Sequence, residues 1–209
     1  MTKTPSIEQL DDVSKYENVL TLPYSEIAPF ILKWLRSPAV PMILIWLITF
    51  FSAAGVVCFW PGLVFSADRH GILSGMAVGL MLIPLAIVPV HEGLHLLPFW
   101  ISGARDIRIG KDLSQGIIYI TAHRYVIGRR LFALVAMTPL VIVTIALLAI
   151  ILLSPPWWRW VLSMSLFVHT TMCAGDAAML AFTGIYRKKE VYTWDDADKK
   201  VAYFYSSRE

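Results

Sequence analysis

The chain has 209 residues, of which 57% are apolar and only 16% charged, with a net charge of +3. Soluble domains carry about a quarter charged residues, so this composition excludes an ordinary water-soluble globule and indicates an integral membrane protein. Cys58 and Cys173 form no spaced pair, which argues against a disulfide framework and a Cys-type zinc site, and no nucleic-acid signature is present.

Residues 1–36 read as a cytoplasmic arm. Up to Pro23 they are polar, with charges of both signs, and predict little structure of their own. Met1 to Arg36 contain no continuous apolar core, so no cleavable secretory signal is expected. From Tyr24 to Arg36, Ile27, Phe30, Ile31, Trp34 and Leu35 recur at helical spacing beside Lys33 and Arg36. That pattern suits an interfacial amphipathic helix or a plain lead-in to the first span.

Residues 37–186 predict four membrane spans. Residues 37–67 contain no Asp, Glu, Lys or Arg, 70–104 contain only Glu92, 131–158 contain none, and 160–186 contain only Asp176. Each stretch exceeds the ~20 residues that cross ~30 Å of hydrocarbon. Basic residues alternate in number along the chain: four precede the first span, Arg69 and Arg159 stand alone in the first and third loops, six lie from Arg105 to Arg130, and six follow Tyr186. The positive-inside rule then puts both termini and the second loop in the cytoplasm. In that loop, Arg105 to Gly110 alternates apolar and polar residues, and Ile117 to Thr121 is rich in β-branched and aromatic ones, predicting a cytoplasmic β-hairpin over about 105–122. Residues 187–209 form a cytoplasmic tail. The expected class is an all-α polytopic membrane protein with this small hairpin between its second and third helices.

The second span holds His91-Glu92-Gly93-Leu94-His95. On a helix, residues four apart share a face, so His91 and His95 can grip one metal ion with Glu92 beside them. Metal-assisted hydrolysis uses two neutral imidazoles, a third protein ligand and a carboxylate that is not a ligand but moves the proton. An ionisable group inside a span is by default functional. Pro84 and Pro89 precede the motif and Met137-Thr138-Pro139 lies in the third span, where loosened backbone would admit water.

Glu92 and Asp176 are the only acidic or basic side chains in the spans, histidine aside. One could serve as base and the other as ligand; the other reading is a buried pair of Asp176 with a protonated histidine, or a lone protonated carboxyl. At 1.5 Å per residue, both His95 and Asp176 lie ~15 Å from the cytoplasmic charges. His169, two turns before Asp176, could support the site from behind its ligands, donate to a transition state, or be a hydrogen-bonded core histidine. Cys173 could touch the metal or simply fill space. His123 and His70 are expected to be solvated.

These residues resemble a bacterial zincin-peptidase family of unknown function that looks like a relative of the site-2 intramembrane metalloproteases. The resemblance is carried by His91-Glu92-Gly93-Leu94-His95, by Met137-Thr138-Pro139, by Gly175-Asp176, and by the acidic-then-aromatic ending Asp195 to Phe204. It implies Zn²⁺ held by His91, His95 and Asp176, with Glu92 as catalytic base. Site-2 proteases usually carry Asp-Gly with an upstream Asn at the third ligand; here Gly175 precedes Asp176 and His169 is the nearest comparable upstream side chain, which leaves the oxyanion-stabilising group open.

The expected activity is a zinc metalloprotease hydrolysing a peptide bond of a membrane-embedded protein or peptide, with the bilayer and that substrate as partners and no nucleic acid. The hairpin edge at Ile117 to Thr121 could hold the substrate as an added strand. Two rivals are a haem-binding electron carrier, with His91 or His95 paired to His169, and a silent scaffold clasped by metal.

Overall fold

The computed structural model describes residues 4–65, 68–112 and 117–208. Four helical stretches are long and apolar enough to cross a bilayer: Val40–Cys58, Arg69–Ser102, Arg129–Leu153 and Pro156–Tyr186. The first, α3 (Val40–Cys58), follows the short α1 (Ile7–Leu10) and α2 (Ile27–Trp34). Many of its large side chains face outward, Phe50 and Phe51 among them. Contiguous apolar surface of that kind suits lipid and not water.

The second stretch is not a uniform helix. It runs as α4 (Arg69–Ala77), a π-helical turn at Val78–Leu82, and α5 (Ile83–Ser102). Such turns carry an extra residue and leave carbonyls poorly paired. Here Ser165 Oγ donates to the Gly79 carbonyl at 2.9 Å, from the helix packed against the turn. A Cβ on Gly79 would come within 2.7 Å of the Val161 carbonyl oxygen, so only glycine permits this approach. The helix then ends at Gly103, whose φ of +98° is the left-handed C-terminal cap that glycine favours.

The third stretch is α6 (Arg129–Leu153), and the fourth is broken into α7 (Pro156–Met172) and α8 (Ala174–Thr183) at Cys173. The break falls one turn before Asp176. Just past it, the first turn of α8 carries Asp176 to within 3.5 Å of His91 and 3.4 Å of His95 on α5.

The ends of the chain depart from the sequence reading. The polar composition of residues 1–23 predicts an arm with little structure; instead Tyr16–Pro23 forms strand β1. It pairs antiparallel with β6 (Val201–Ser207), which pairs with β5 (Val191–Asp196), which pairs with β4 (Ile127–Gly128), giving the order β1-β6-β5-β4. The expected cytoplasmic tail is thus half of a sheet whose other strands come from the arm and the second loop. The missing signal was long-range: β1 is stable only against a partner about 180 residues away, with Leu20 opposite Phe204 and Leu22 opposite Ala202. Leu22, Ala202 and Phe204 are buried against Phe99, Phe132 and Phe182 of α5, α6 and α8.

A second sheet pairs β2 (Ile107–Asp112) with β3 (Ile117–Ala122). Its connection, residues 113–116, lies outside the described residues. The two sheets meet where the Arg124 amide donates to the Asp195 carbonyl at 2.8 Å. The four long apolar stretches are helical as expected, while the arm, the second loop and the tail gather at one end of the bundle. The helix α2 leans on α8 through Phe30 and Trp34, whose rings lie 6.0 and 5.9 Å from that of Phe182.

Candidate metal centre

His91 and His95 project from one face of α5, as their spacing requires, and Asp176 meets them from the first turn of α8. Nε2 of His91 lies 3.3 Å from Nε2 of His95. Oδ2 of Asp176 lies 3.5 Å from the first and 3.4 Å from the second. A tetrahedral zinc ion with ligands at 2.0–2.2 Å would hold neighbouring ligand atoms about 3.3–3.6 Å apart. The three atoms therefore fit three corners of such a site. Both histidines are buried.

The ring orientations are set by the other nitrogens. Nδ1 of His95 donates to the Val135 carbonyl at 2.9 Å, which leaves Nε2 with its lone pair toward Asp176. That carbonyl is free for a reason written in the sequence. Its usual helical donor is the amide of residue 139, and Pro139 has none. On His91, Nδ1 faces Nε2 of His169 at 3.5 Å and the Cys173 sulfur at 3.8 Å. His169 and Cys173 are themselves 3.6 Å apart and buried. Nδ1 of His169 has no hydrogen-bond partner among the described residues.

Among the described residues, two groups that could hold an ion share His91, one through Nε2 with His95 and Asp176 and the other through Nδ1 with His169 and Cys173, and a separate cluster of His123, Asp196 and Asp198 lies on the loop and tail. The first contains a carboxylate, supplies three ligand atoms at tetrahedral spacing, and has its His95 tautomer fixed. The second has wider spacings.

Glu92 stands beside these three atoms, with a carboxylate oxygen within 4.8 Å of a ring nitrogen of both His91 and His95. Its Oε2 accepts from the Ile120 amide at 3.1 Å. Ile120 lies opposite Ile109 in the β2–β3 pair, and the bonded pair at His123 and Asp106 sets the alternation that turns the Ile120 N–H outward. The free edge of β3 thus faces the motif; the sequence marks Ile120 only as part of a strand and gives Val135 no role. The proline four residues after Val135 was a readable signal; the Ile120 amide had none.

An apolar cavity of about 260 Å³ opens from this cluster toward the four-stranded sheet. Ile27 and Ile31 of α2 line it, so that helix forms a wall of the site. Ile31 comes within 3.4 Å of where a Cβ on Gly175 would stand, next to Asp176.

Of the remaining histidines, His70 is exposed as expected. His123 is not solvated: its Nδ1 accepts from the Ala197 amide at 3.1 Å and its Nε2 lies 3.6 Å from the Asp198 carboxylate. The correction comes from the tail, which folds back over the loop.

Residues 84–192 match the model of one protein family, whose description is "Putative zincin peptidase". The match spans just over half of the chain and includes the His-Glu motif, Pro139 and Asp176. No curated protein and no solved structure matches the chain.

Proposed function

The chain belongs to that zincin peptidase family, and on this premise we propose that it is a zinc-dependent intramembrane peptidase acting on a membrane-embedded substrate. The observation that carries the reading is the trio of ligand atoms 3.3–3.5 Å apart, set among helices of membrane-spanning length with Glu92 alongside. His91, His95 and Asp176 would hold the ion. A bound zinc ion supplies Lewis acidity, which acidifies water and polarises a carbonyl.

The chain's own part is proton transfer and positioning. Glu92 accepts a proton from the attacking water as the new C–O bond forms, then returns it to the amine as the C–N bond breaks. The Ile120 amide holds the Glu92 carboxylate toward the site, and the free edge of β3 beside it could receive an unwound substrate segment as an added strand. The apolar cavity offers that segment a water-poor surface.

The arrangement of the chain ends supports a cytoplasmic placement of both termini. The arm, second loop and tail meet in adjoining sheets, and these segments hold sixteen of the eighteen basic residues. A haem carrier fits less well. His91 and His169 approach to 3.5 Å between ring nitrogens, which leaves no room for a macrocycle between them.

The test is hydrolysis of a single-span reporter in proteoliposomes by wild type and Glu92→Gln, with zinc content measured on both. Cleavage by wild type alone, at equal zinc, supports the reading. Equal cleavage by both proteins overturns the role of Glu92.

A further inference from the structure

The cavity has a second polar end that the proposed hydrolysis does not use. Its walls include Leu22, Phe99, Ile127, Phe132 and Phe204, and Asp195 lines it on the side of the four-stranded sheet. The Asp195 carboxylate is met by hydroxyls. Thr121 donates to Oδ2, and the Tyr24 hydroxyl stands near enough to favour its charged form. Among the described residues, no Lys, Arg or His side chain lies within ion-pair distance of it.

Neutral donors do not fully compensate a carboxylate withdrawn from water. Burial accordingly pushes the Asp195 carboxyl up to about 6, so at neutral pH it is still largely ionised and without a counter-charge. Strand β3 ties it to the metal centre: the Ile120 amide donates to Glu92, and the next side chain, Thr121, donates to Asp195. One apolar cavity connects the two carboxylates.

Apolar walls leading to a single unpaired carboxylate suit a long aliphatic side chain with a cationic head. We infer that this end of the cavity is a subsite for a lysine or arginine side chain of the membrane-embedded peptide, whose alkyl stem lies along the walls and whose head meets Asp195 and Thr121. The inference rests on the peptidase reading for the nature of the ligand. Membrane spans carry Lys and Arg at their cytoplasmic flank, and Asp195 lies at the end of the bundle where this chain gathers its own basic segments. A basic flanking residue seated there would set how far inside the span the peptide is cut.

The experiment measures binding, so that it does not depend on turnover. Full-length protein carrying Glu92→Gln, loaded with zinc in nanodiscs of neutral lipid, is titrated with N-acetylated, C-amidated single-span peptides. Each carries one Lys, Arg or Gln, moved one position at a time through one flank. The expected result is an affinity optimum at one position, with Lys and Arg bound about tenfold more tightly than Gln. Asp195→Asn in the same background brings that ratio close to one, and Asp195→Glu keeps most of it. Equal binding of Lys and Gln peptides overturns the subsite, as does a preference that survives Asp195→Asn or needs a free amino terminus. If the preference holds while wild-type protein leaves the best Lys peptide intact, the subsite stands and the hydrolase falls.

Discussion

His95 is oriented by Val135: its Nδ1 donates to a helix carbonyl that has lost its normal donor to Pro139. A proline in the third span thereby directs a ring nitrogen in the second. Pro139→Ala gives residue 139 an amide that competes for the same carbonyl. Zinc affinity should fall by roughly tenfold, within the 10–100-fold range typical of lost partners behind metal ligands, in a protein that remains folded. Chelator competition reads the affinity; an unchanged value would show that the carbonyl does not govern His95.

His91 faces two clusters, and zinc content separates them. About one zinc per chain is expected in wild type, with a large loss in His91→Ala, His95→Ala and Asp176→Ala. Cys173→Ser should retain the metal, whereas His169→Leu, which removes the polar group 3.5 Å from His91 Nδ1, should weaken it about tenfold. Metal lost from Cys173→Ser but kept in Asp176→Ala would move the site to the other face of His91.

Ile120→Pro removes the amide that holds Glu92. The Ile120 N–H points out of the β2–β3 pair, so the substitution costs no bond of that ladder. Peptide hydrolysis should drop on the order of 10–100-fold with zinc content unchanged, since the lost contact orients the base and not the ligands. Full activity would mean that Glu92 needs no help from β3.

Asp195 should cost stability at neutral pH. Its folded value of about 6 lies above the ordinary 3.8, so the native state binds this proton more tightly than the unfolded chain does. The ionised carboxylate destabilises above pH 6; the cost shrinks as pH falls from 6 toward 4 and is gone below that. Asp195→Asn should therefore raise the thermal midpoint at pH 7.5, by up to about 3 kcal/mol of stability, and show little advantage near pH 4. Measuring variant and wild type side by side at each pH cancels the contribution of every other group. A variant less stable than wild type at pH 7.5 would make Asp195 a structural tie.

Much of this molecule is written locally in its sequence. Four stretches with at most one acidic or basic side chain each announce four helices of membrane-spanning length because a bilayer tolerates little else. The four-residue spacing of His91 and His95 places both rings on one face by helix geometry alone. Asp176 stood out because a carboxylate in such a stretch is expensive, and the fold does bring it to the two histidines. Tertiary structure decided what depends on distant partners: the pairing of β1 with β6, the turn of the β3 edge toward Glu92, the use of the Val135 carbonyl by His95, and the place of Asp195 at the far end of the cavity. None of these contacts has a periodicity to read, because each joins segments far apart in the chain whose approach is fixed only by the packing of the helices between them.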